Sequence, residues 1–195
     1  MMIGILALQG NIREHRANLA RHGVRGRSIK TPDDLGGIDG LILPGGESTA
    51  IQKLIVSSGL KAPVQDLIGT GLPVWGTCAG VVLLARGGVW PCADIQVDRN
   101  AYGSQLFSRV IYGKSIMAGT EKPMVFIRSP RICSASEDVE ILAELEGDIV
   151  GARQHNILLT TFHPELVTDS PFTDYFINMV KERIEGSGLA FCHHI

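Results

Sequence analysis

The sequence predicts a single-domain α/β protein with an open, mostly parallel central sheet, flanked by helices and extended by antiparallel strands. Three observations carry this expectation. Met2 to Leu8 is a continuous apolar run of the kind that is buried on both faces of a parallel sheet. The first half of the chain alternates such runs with segments of helical spacing, the β-α-β-α rhythm of sheets with right-handed crossovers. After Gly87-Gly88 the segments become shorter and richer in turns, which antiparallel additions accommodate most simply.

The elements follow in order. The first strand ends at Gln9-Gly10, and Asn11 with Glu14 three residues on has the pattern of a capping box. Ile12, His15, Leu19 and His22 then fall at helical spacing until Gly23 stops the helix, and residues 24–30 form a weaker second strand. Thr31-Pro32-Asp33-Asp34 is a turn, and Gly40-Leu41-Ile42-Leu43 a short buried strand leading into Pro44-Gly45-Gly46, with Ser48 placed to cap the next helix. Helices through Leu54 and around Val64 to Ile68 lead to Gly71 and to the strand Leu72-Pro73-Val74-Trp75.

Beyond these come short segments at Ile95 to Val97, Val110 to Tyr112, Met124 to Ile127 and Val139 to Leu145. Ile149 to Ala152 and Ile157 to Thr161 can pair as a hairpin across Gln154-His155-Asn156. From Pro171 to Ile184, residues Phe172, Tyr175, Phe176, Met179, Val180 and Ile184 make an apolar helical face. The expected organisation is one domain over residues 1–185 and a flexible tail over 186–195.

At 195 residues with 45% hydrophobic and 19% charged residues, the chain has the composition of an ordinary globular protein, which excludes disordered and fibrous classes. A net charge of −2 without basic clusters argues against nucleic acid or anionic lipid as a partner. The N-terminal run lacks the basic region and length of a signal peptide, and no apolar stretch is long enough to span a bilayer, so a cytoplasmic location is the default expectation. Cys78, Cys92, Cys133 and Cys192 are irregularly spaced and form no C-x-x-C pattern, so no metal site is expected. Cys192-His193-His194 could take a soft metal, but after Gly186-Ser187-Gly188 it reads as a frayed terminus.

The chemistry centres on Gly76-Thr77-Cys78-Ala79-Gly80, which lies between an apolar strand and the apolar run Val81 to Ala85. Flanking glycines permit the sharp strand-to-helix turn of a nucleophile elbow, here with sulfur at its apex. A following helix N-terminus lowers a thiol pKa and offers N–H groups to an oxyanion. Taken alone, the pentapeptide leaves a buried structural thiol equally open.

His163-Pro164-Glu165 follows the last apolar strand. Residues two apart in an extended chain point the same way, so imidazole and carboxylate can face one site. A cysteine nucleophile needs a base, and the base needs a group that fixes its tautomer. Cys78, His163 and Glu165 supply these roles jointly. His15 and His22, on a helix, and His155, in a turn, are weaker candidates. The loop Leu43-Pro44-Gly45-Gly46-Glu47-Ser48-Thr49 lacks the ending of a phosphate-binding P-loop, yet its glycines open a helix and can present N–H groups to an anion. Loops at Gln9-Gly10, Pro44 to Glu47 and Cys78 all follow strands and so share one rim of the sheet.

The elbow together with His163-Pro164-Glu165 resembles the class I, triad-type glutamine amidotransferases. Ala7-Leu8-Gln9-Gly10, Leu43 to Thr49, Arg99-Asn100-Ala101-Tyr102-Gly103 and Phe126-Ile127-Arg128-Ser129-Pro130 narrow the resemblance to the glutaminase subunits of pyridoxal 5'-phosphate synthase, over nearly the whole chain. The resemblance implies a flavodoxin-like architecture and hydrolysis of L-glutamine to glutamate and ammonia, with ammonia passed to a separate synthase subunit. It implies that Gly46, Glu47, Ser48, Arg99, Ile127 and Arg128 line the glutamine site. Backbone N–H groups of Gly45, Gly46 and Ala79 are expected to hold the oxyanion, and Gln9, Gly10 and Asn11 to touch the synthase. No cofactor is implied, pyridoxal phosphate being the product of the complex.

Two departures from the family pattern stand out. Arg86 to Asp98 is shorter than usual and carries Trp90-Pro91-Cys92, and Ser104 stands where a basic residue often follows Tyr-Gly. Rival readings are a glutaminase subunit for nucleotide, histidine or anthranilate synthesis, a peptidase-like or deglycase-like relative, and an idle interaction subunit. The loops around Gln9, Glu47 and Arg128 oppose the first, His-Pro-Glu the second, and the intact triad gives no reason for the third.

Overall fold

The computed structural model describes residues 1–99, 108–115 and 121–190. In chain order the elements are β1 (Met2–Leu6), α1 (Ile12–Arg21), β2 (Arg25–Ile29), β3 (Gly40–Leu43), α2 (Ser48–Ser57), α3 (Lys61–Gly69), β4 (Val74–Thr77), α4 (Ala79–Leu84) and β5 (Ile95–Asp98). They continue with β6 (Ser108–Ser115), β7 (Glu121–Ile127), β8 (Arg131–Ala135), β9 (Glu140–Leu145), β10 (Asp148–Gln154), β11 (Ile157–Thr160) and α5 (Pro171–Ala190).

The strands form one sheet in the order β2-β1-β3-β4-β11-β10-β9-β6-β7, with β8 against β10 and β5 against β8. The first five in that order are parallel, and the pairings from β10 outward are antiparallel. The expected hairpin is present, with Gln154 opposite Ile157. It reverses the chain so that β11 lies parallel to β4, Thr160 opposite Thr77. The carboxyl ends of β1, β3, β4 and β11 therefore share one rim, where ligands of open α/β sheets bind.

Alternation along the buried strands splits the core in two. Ile3, Ile5, Ile42, Trp75 and Leu158 point to the side covered by α1 and α5, where they meet Leu19, Phe162, Phe172 and Phe176. Leu41, Leu43, Val74, Ile157 and Leu159 point to the other side, against Ile51, Ile55, Val64 and Trp90. The aromatic residues dominate the first side: Trp75 lies 5.4 Å from Phe176, and Phe162 packs edge-on at 5.3 Å to Phe172.

Several local expectations are corrected. Asn11 makes no side-chain cap on α1. The capping box instead closes a 3-10 helix at Pro32–Leu35, where Thr31 and Asp34 bond reciprocally in place of a plain turn. Glu47, not Ser48, caps α2, because Glu47 holds the extended backbone of an N-cap while Ser48 is already helical. The strand β8 had no sequence counterpart, and Ile184 on α5 is 40% exposed rather than part of the packed face. The helix α5 continues through Gly186, while Ser104 and the Cys192-His193-His194 tail lie outside the described residues. No helix among the described residues is long and apolar enough to cross a membrane.

The elbow glycines are required by close packing. A Cβ on Gly80 would run into the Leu43 carbonyl oxygen, and one on Gly76 would meet the Gly80 backbone at 2.8 Å. Gly69, by contrast, has nothing within 4 Å of the position a Cβ would take. Gly80→Ala is expected to destabilise the fold by about 1–3 kcal/mol or more, through overpacking. Gly69→Ala should leave stability unchanged or raise it by up to about 1 kcal/mol. Urea unfolding midpoints of the two variants check this.

Candidate active site

At the rim, Cys78 sits between β4 and α4 with φ 49° and ψ −109°. This is a conformation that non-glycine residues rarely adopt and that strand-to-helix elbows impose. Its backbone N–H donates to the Thr160 carbonyl at 2.8 Å, tying the elbow to the end of β11. Arg128 is a second residue of positive φ, at 47°, and it lines the same cleft.

His163 follows β11, with its backbone N–H donating to the Val125 carbonyl at 2.8 Å. Pro164–Leu166 forms a 3-10 helix rather than the extended segment that the sequence suggests. Glu165 nonetheless turns back, and His163 Nδ1 lies 2.8 Å from Glu165 Oε1. With Nδ1 engaged, the opposite ring nitrogen is left for Cys78, whose side chain favours the protonated imidazole. Cys78 Sγ also lies 3.7 Å from the Ile127 carbonyl, a partner that only the protonated thiol can use. The thiol can therefore rest on Ile127 or yield its proton to His163.

His163 and Glu165 are both buried. Burial disfavours the imidazolium, but hydrogen bonds and charge from Cys78 and Glu165 prevail and raise the His163 pKa from 6.5 to about 10. Burial likewise opposes the Glu165 carboxylate, yet His15, His163 and Asn11 hold its pKa down, from 4.5 to about 2. Asn11 Nδ2 donates to Glu165 Oε1 at 2.9 Å. On the other carboxylate oxygen, His15 Nε2 stands 3.5 Å from Oε2. Burial pushes the His15 pKa down, against the opposing pull of Glu165.

The cleft in front of this arrangement has a volume of about 760 Å³. It is lined by Gly10, Asn11, Gly45, Gly46, Glu47, Ser48, Ala79, Arg99, Ile127 and Arg128 together with Cys78 and His163. Of the residues singled out in the sequence, Gln9 and Glu165 stand behind this lining. Gln9 Oε1 accepts from the Glu47 N–H at 3.2 Å, and Glu165 backs His163. Gly45 must be glycine, since a Cβ there would meet His163 Cε1 at 2.5 Å and Cys78 Cβ at 3.2 Å.

Glu47 is committed to its helix, its carboxylate accepting from Thr49 N at 2.9 Å and Ala50 N at 2.7 Å. These bonds, with a smaller contribution from Arg99, hold its pKa below the usual value. Arg99 and Arg128 are exposed and place two cations at the cleft mouth. Sequence reasoning missed the roles of Asn11 and His15. Their four-residue spacing on one helix face, directly after the Gln9-Gly10 loop, was the available signal.

An elbow thiol backed by a histidine–carboxylate pair from the next parallel strand defines a class, the triad-type glutamine amidotransferases. A model of the SNO glutamine amidotransferase family matches residues 5–182, and the chain belongs to that family. It is 46% identical over 188 residues to the pyridoxal 5'-phosphate synthase subunit PdxT of Caldicellulosiruptor bescii, covering 92% of this chain and 98% of the relative. Its identity to the PdxT subunit of Streptococcus pneumoniae is 45% over 194 residues, covering 94% and 99%. A crystal structure of a glutamine amidotransferase superposes with a TM-score of 0.85 at 35% identity, covering 92% of this chain and 98% of the other.

The paired shifts set a pH window for stability. The His163 pKa is raised on folding, so its contribution is complete below about pH 6.5 and is lost as pH climbs through about 10. The Glu165 pKa is lowered, so its contribution is complete above about pH 4.5 and is lost as pH falls through about 2. Between pH 7 and 10 the native chain should lose stability more steeply than His163→Gln, as read from urea midpoints at fixed ionic strength.

Proposed function

We propose that this chain hydrolyses L-glutamine to L-glutamate and ammonia, and supplies the ammonia to a synthase subunit that builds pyridoxal 5'-phosphate. The observation that carries the reading is the buried His163–Glu165 pair behind an elbow thiol. It is joined by close similarity to chains named as pyridoxal 5'-phosphate synthase subunits.

In this reading Cys78 passes its proton to His163, and the thiolate attacks the side-chain amide carbon of glutamine. The C–S bond forms and the carbonyl π electrons move to oxygen. Backbone N–H groups of Ala79 and of the Gly45-Gly46 loop stabilise that oxyanion, a contribution worth about a hundredfold or more per donor. The imidazolium returns its proton to the departing nitrogen, the C–N bond breaks, and ammonia leaves behind a glutamyl thioester. Water, deprotonated by the same imidazole, adds to the thioester, and glutamate departs as the thiol re-forms.

Arg99 and Arg128 at the cleft mouth suit the α-carboxylate of glutamine, through paired N–H donors. Glu47 suits the α-ammonium, its carboxylate oxygens retaining lone pairs beyond those used in capping. Ser48 and the Ile127 carbonyl complete the substrate site. Gln9, Gly10 and Asn11 form the contact through which the synthase acts on the site. Gln9 is exposed and bonded to the Glu47 backbone, so pressure on it reaches the Gly45-Gly46 loop directly.

The test mixes the chain with a pyridoxal phosphate-forming synthase and follows product from glutamine or from an ammonium salt. Cys78→Ala is expected to abolish product from glutamine, at least a thousandfold, and to leave the ammonium-fed reaction intact. Gln9→Ala is expected to blunt stimulation of glutaminase by the synthase. Product from glutamine that is insensitive to Cys78 would overturn the reading.

A further inference from the structure

We infer that His15 is a positioning residue for the triad: an imidazole whose Nε2–H holds the outer oxygen of Glu165, so that the inner oxygen stays directed at His163. The inference deepens the proposed glutaminase mechanism and rests on that reading for its kinetic consequences.

The division of labour between the two carboxylate oxygens is visible in the contacts. Oε1 receives both His163 Nδ1 at 2.8 Å and the Asn11 amide at 2.9 Å. Among the described residues, Oε2 is buried without a donor at ordinary hydrogen-bond distance. A buried carboxylate oxygen left unpaired is costly, so the group facing it matters. That group is His15 Nε2 at 3.5 Å, on a ring only 2% exposed.

The tautomer follows from electrostatics. A ring presenting the Nε2 lone pair to a carboxylate oxygen would repel it in a dry site, whereas Nε2–H is attracted. Thr77 Oγ1, 3.4 Å from the same nitrogen, sits on β4 one residue before the nucleophile. Trp75 packs edge-on against the imidazole at 6.2 Å and 78°, which restricts its rotation. His15 thus spans the gap between the nucleophile strand and the carboxylate. At 3.5 Å the contact is longer than a formed hydrogen bond, as catalytic contacts often are before substrate binds.

The chemical consequence concerns the moment at which His163 takes the Cys78 proton. The imidazolium then depends on a carboxylate that is ionised and correctly turned. Without a donor on Oε2 the carboxylate can rotate away and is more readily protonated. Among the described residues, the titratable groups acting on it are His15 and His163, with Cys78 acting through His163 and Glu14 acting on His15.

The experiment compares His15→Leu, which keeps bulk but has no donor, with His15→Gln, whose amide nitrogen reaches the Nε2 position. Steady-state glutaminase kinetics are measured in the synthase complex. The leucine variant is expected to lose kcat by about 10- to 100-fold with KM within about twofold, and its acid limb should move to higher pH. The glutamine variant should recover to within about threefold of the parent. Equal losses in both variants, a loss confined to KM, or an unmoved acid limb would overturn the inference. Should the leucine variant fail to fold, His15→Asn against His15→Gln carries the test, since the shorter amide cannot reach Oε2. Alkylation of Cys78 by iodoacetamide against pH reads the thiol–imidazole pair without glutamine or synthase. An acid limb of alkylation that shifts upward in the donor-less variant supports the inference even if glutamine is not the substrate. An unshifted limb overturns it.

Discussion

The parallel pairing of β4 with β11 is the constraint on which the site depends. Cys78 and His163 are far apart in sequence, and nothing local draws them together. The β10–β11 hairpin turns the chain so that β11 enters beside β4 in the same direction, with Thr160 opposite Thr77. The bond from Cys78 N–H to the Thr160 carbonyl then locks the elbow against the strand end that leads to His163. All residues of both strands are buried, so the register is held by apolar contacts on two faces and a one-residue slip would invert them. The strained backbone at Cys78 is sustained because glycines on either side let Leu43 and α4 approach.

Burying the His163–Glu165 pair is the second demand. A charged pair removed from water gains little unless every remaining lone pair finds a donor, and breaking such a pair costs about 3–5 kcal/mol. Here Asn11, at the start of α1, donates to the inner carboxylate oxygen, and His15, one turn on, faces the outer one at 3.5 Å. The same helix begins at the loop whose Gln9 braces Glu47 beside the Gly45-Gly46 turn. The start of α1 and the loop before it therefore touch the Glu165 carboxylate and the backbone beside the Gly45-Gly46 turn together. A partner that presses on the start of α1 has a short physical route to both.

Much of this was readable from the residues. The apolar runs of β1, β3 and β11, the elbow glycines and the hairpin at His155-Asn156 each carry a local reason that survives folding. What escaped has reasons as well. The strand β8, Arg131–Ala135, alternates weakly and exposes most of its residues, so periodicity could not mark it. Asn11 has the chemistry of a cap, but Glu165 offers it a charged acceptor, and the tertiary bond wins over the local one. Adjacent Glu47 and Ser48 can each cap a helix, and only the backbone turn decides between them. His163 and Glu165 meet through a 3-10 turn instead of an extended segment, so the expected pairing arose from a different geometry. The four-residue spacing of Asn11 and His15 marks a shared face, but what His15 meets there, Thr77 and Glu165, is a pair of long-range contacts that the spacing does not name.

Glutamine hydrolysis at this site requires Cys78 as the nucleophile, and one measurement addresses that directly. The chain is treated with a glutamine analogue carrying an electrophilic ketone in place of the side-chain amide, and the modified peptides are identified by mass spectrometry. A single adduct is expected on the peptide containing Cys78, suppressed by excess L-glutamine and absent from those containing Cys92, Cys133 and Cys192. An adduct spread over the other cysteines, or one on Cys78 that glutamine fails to suppress, would contradict it.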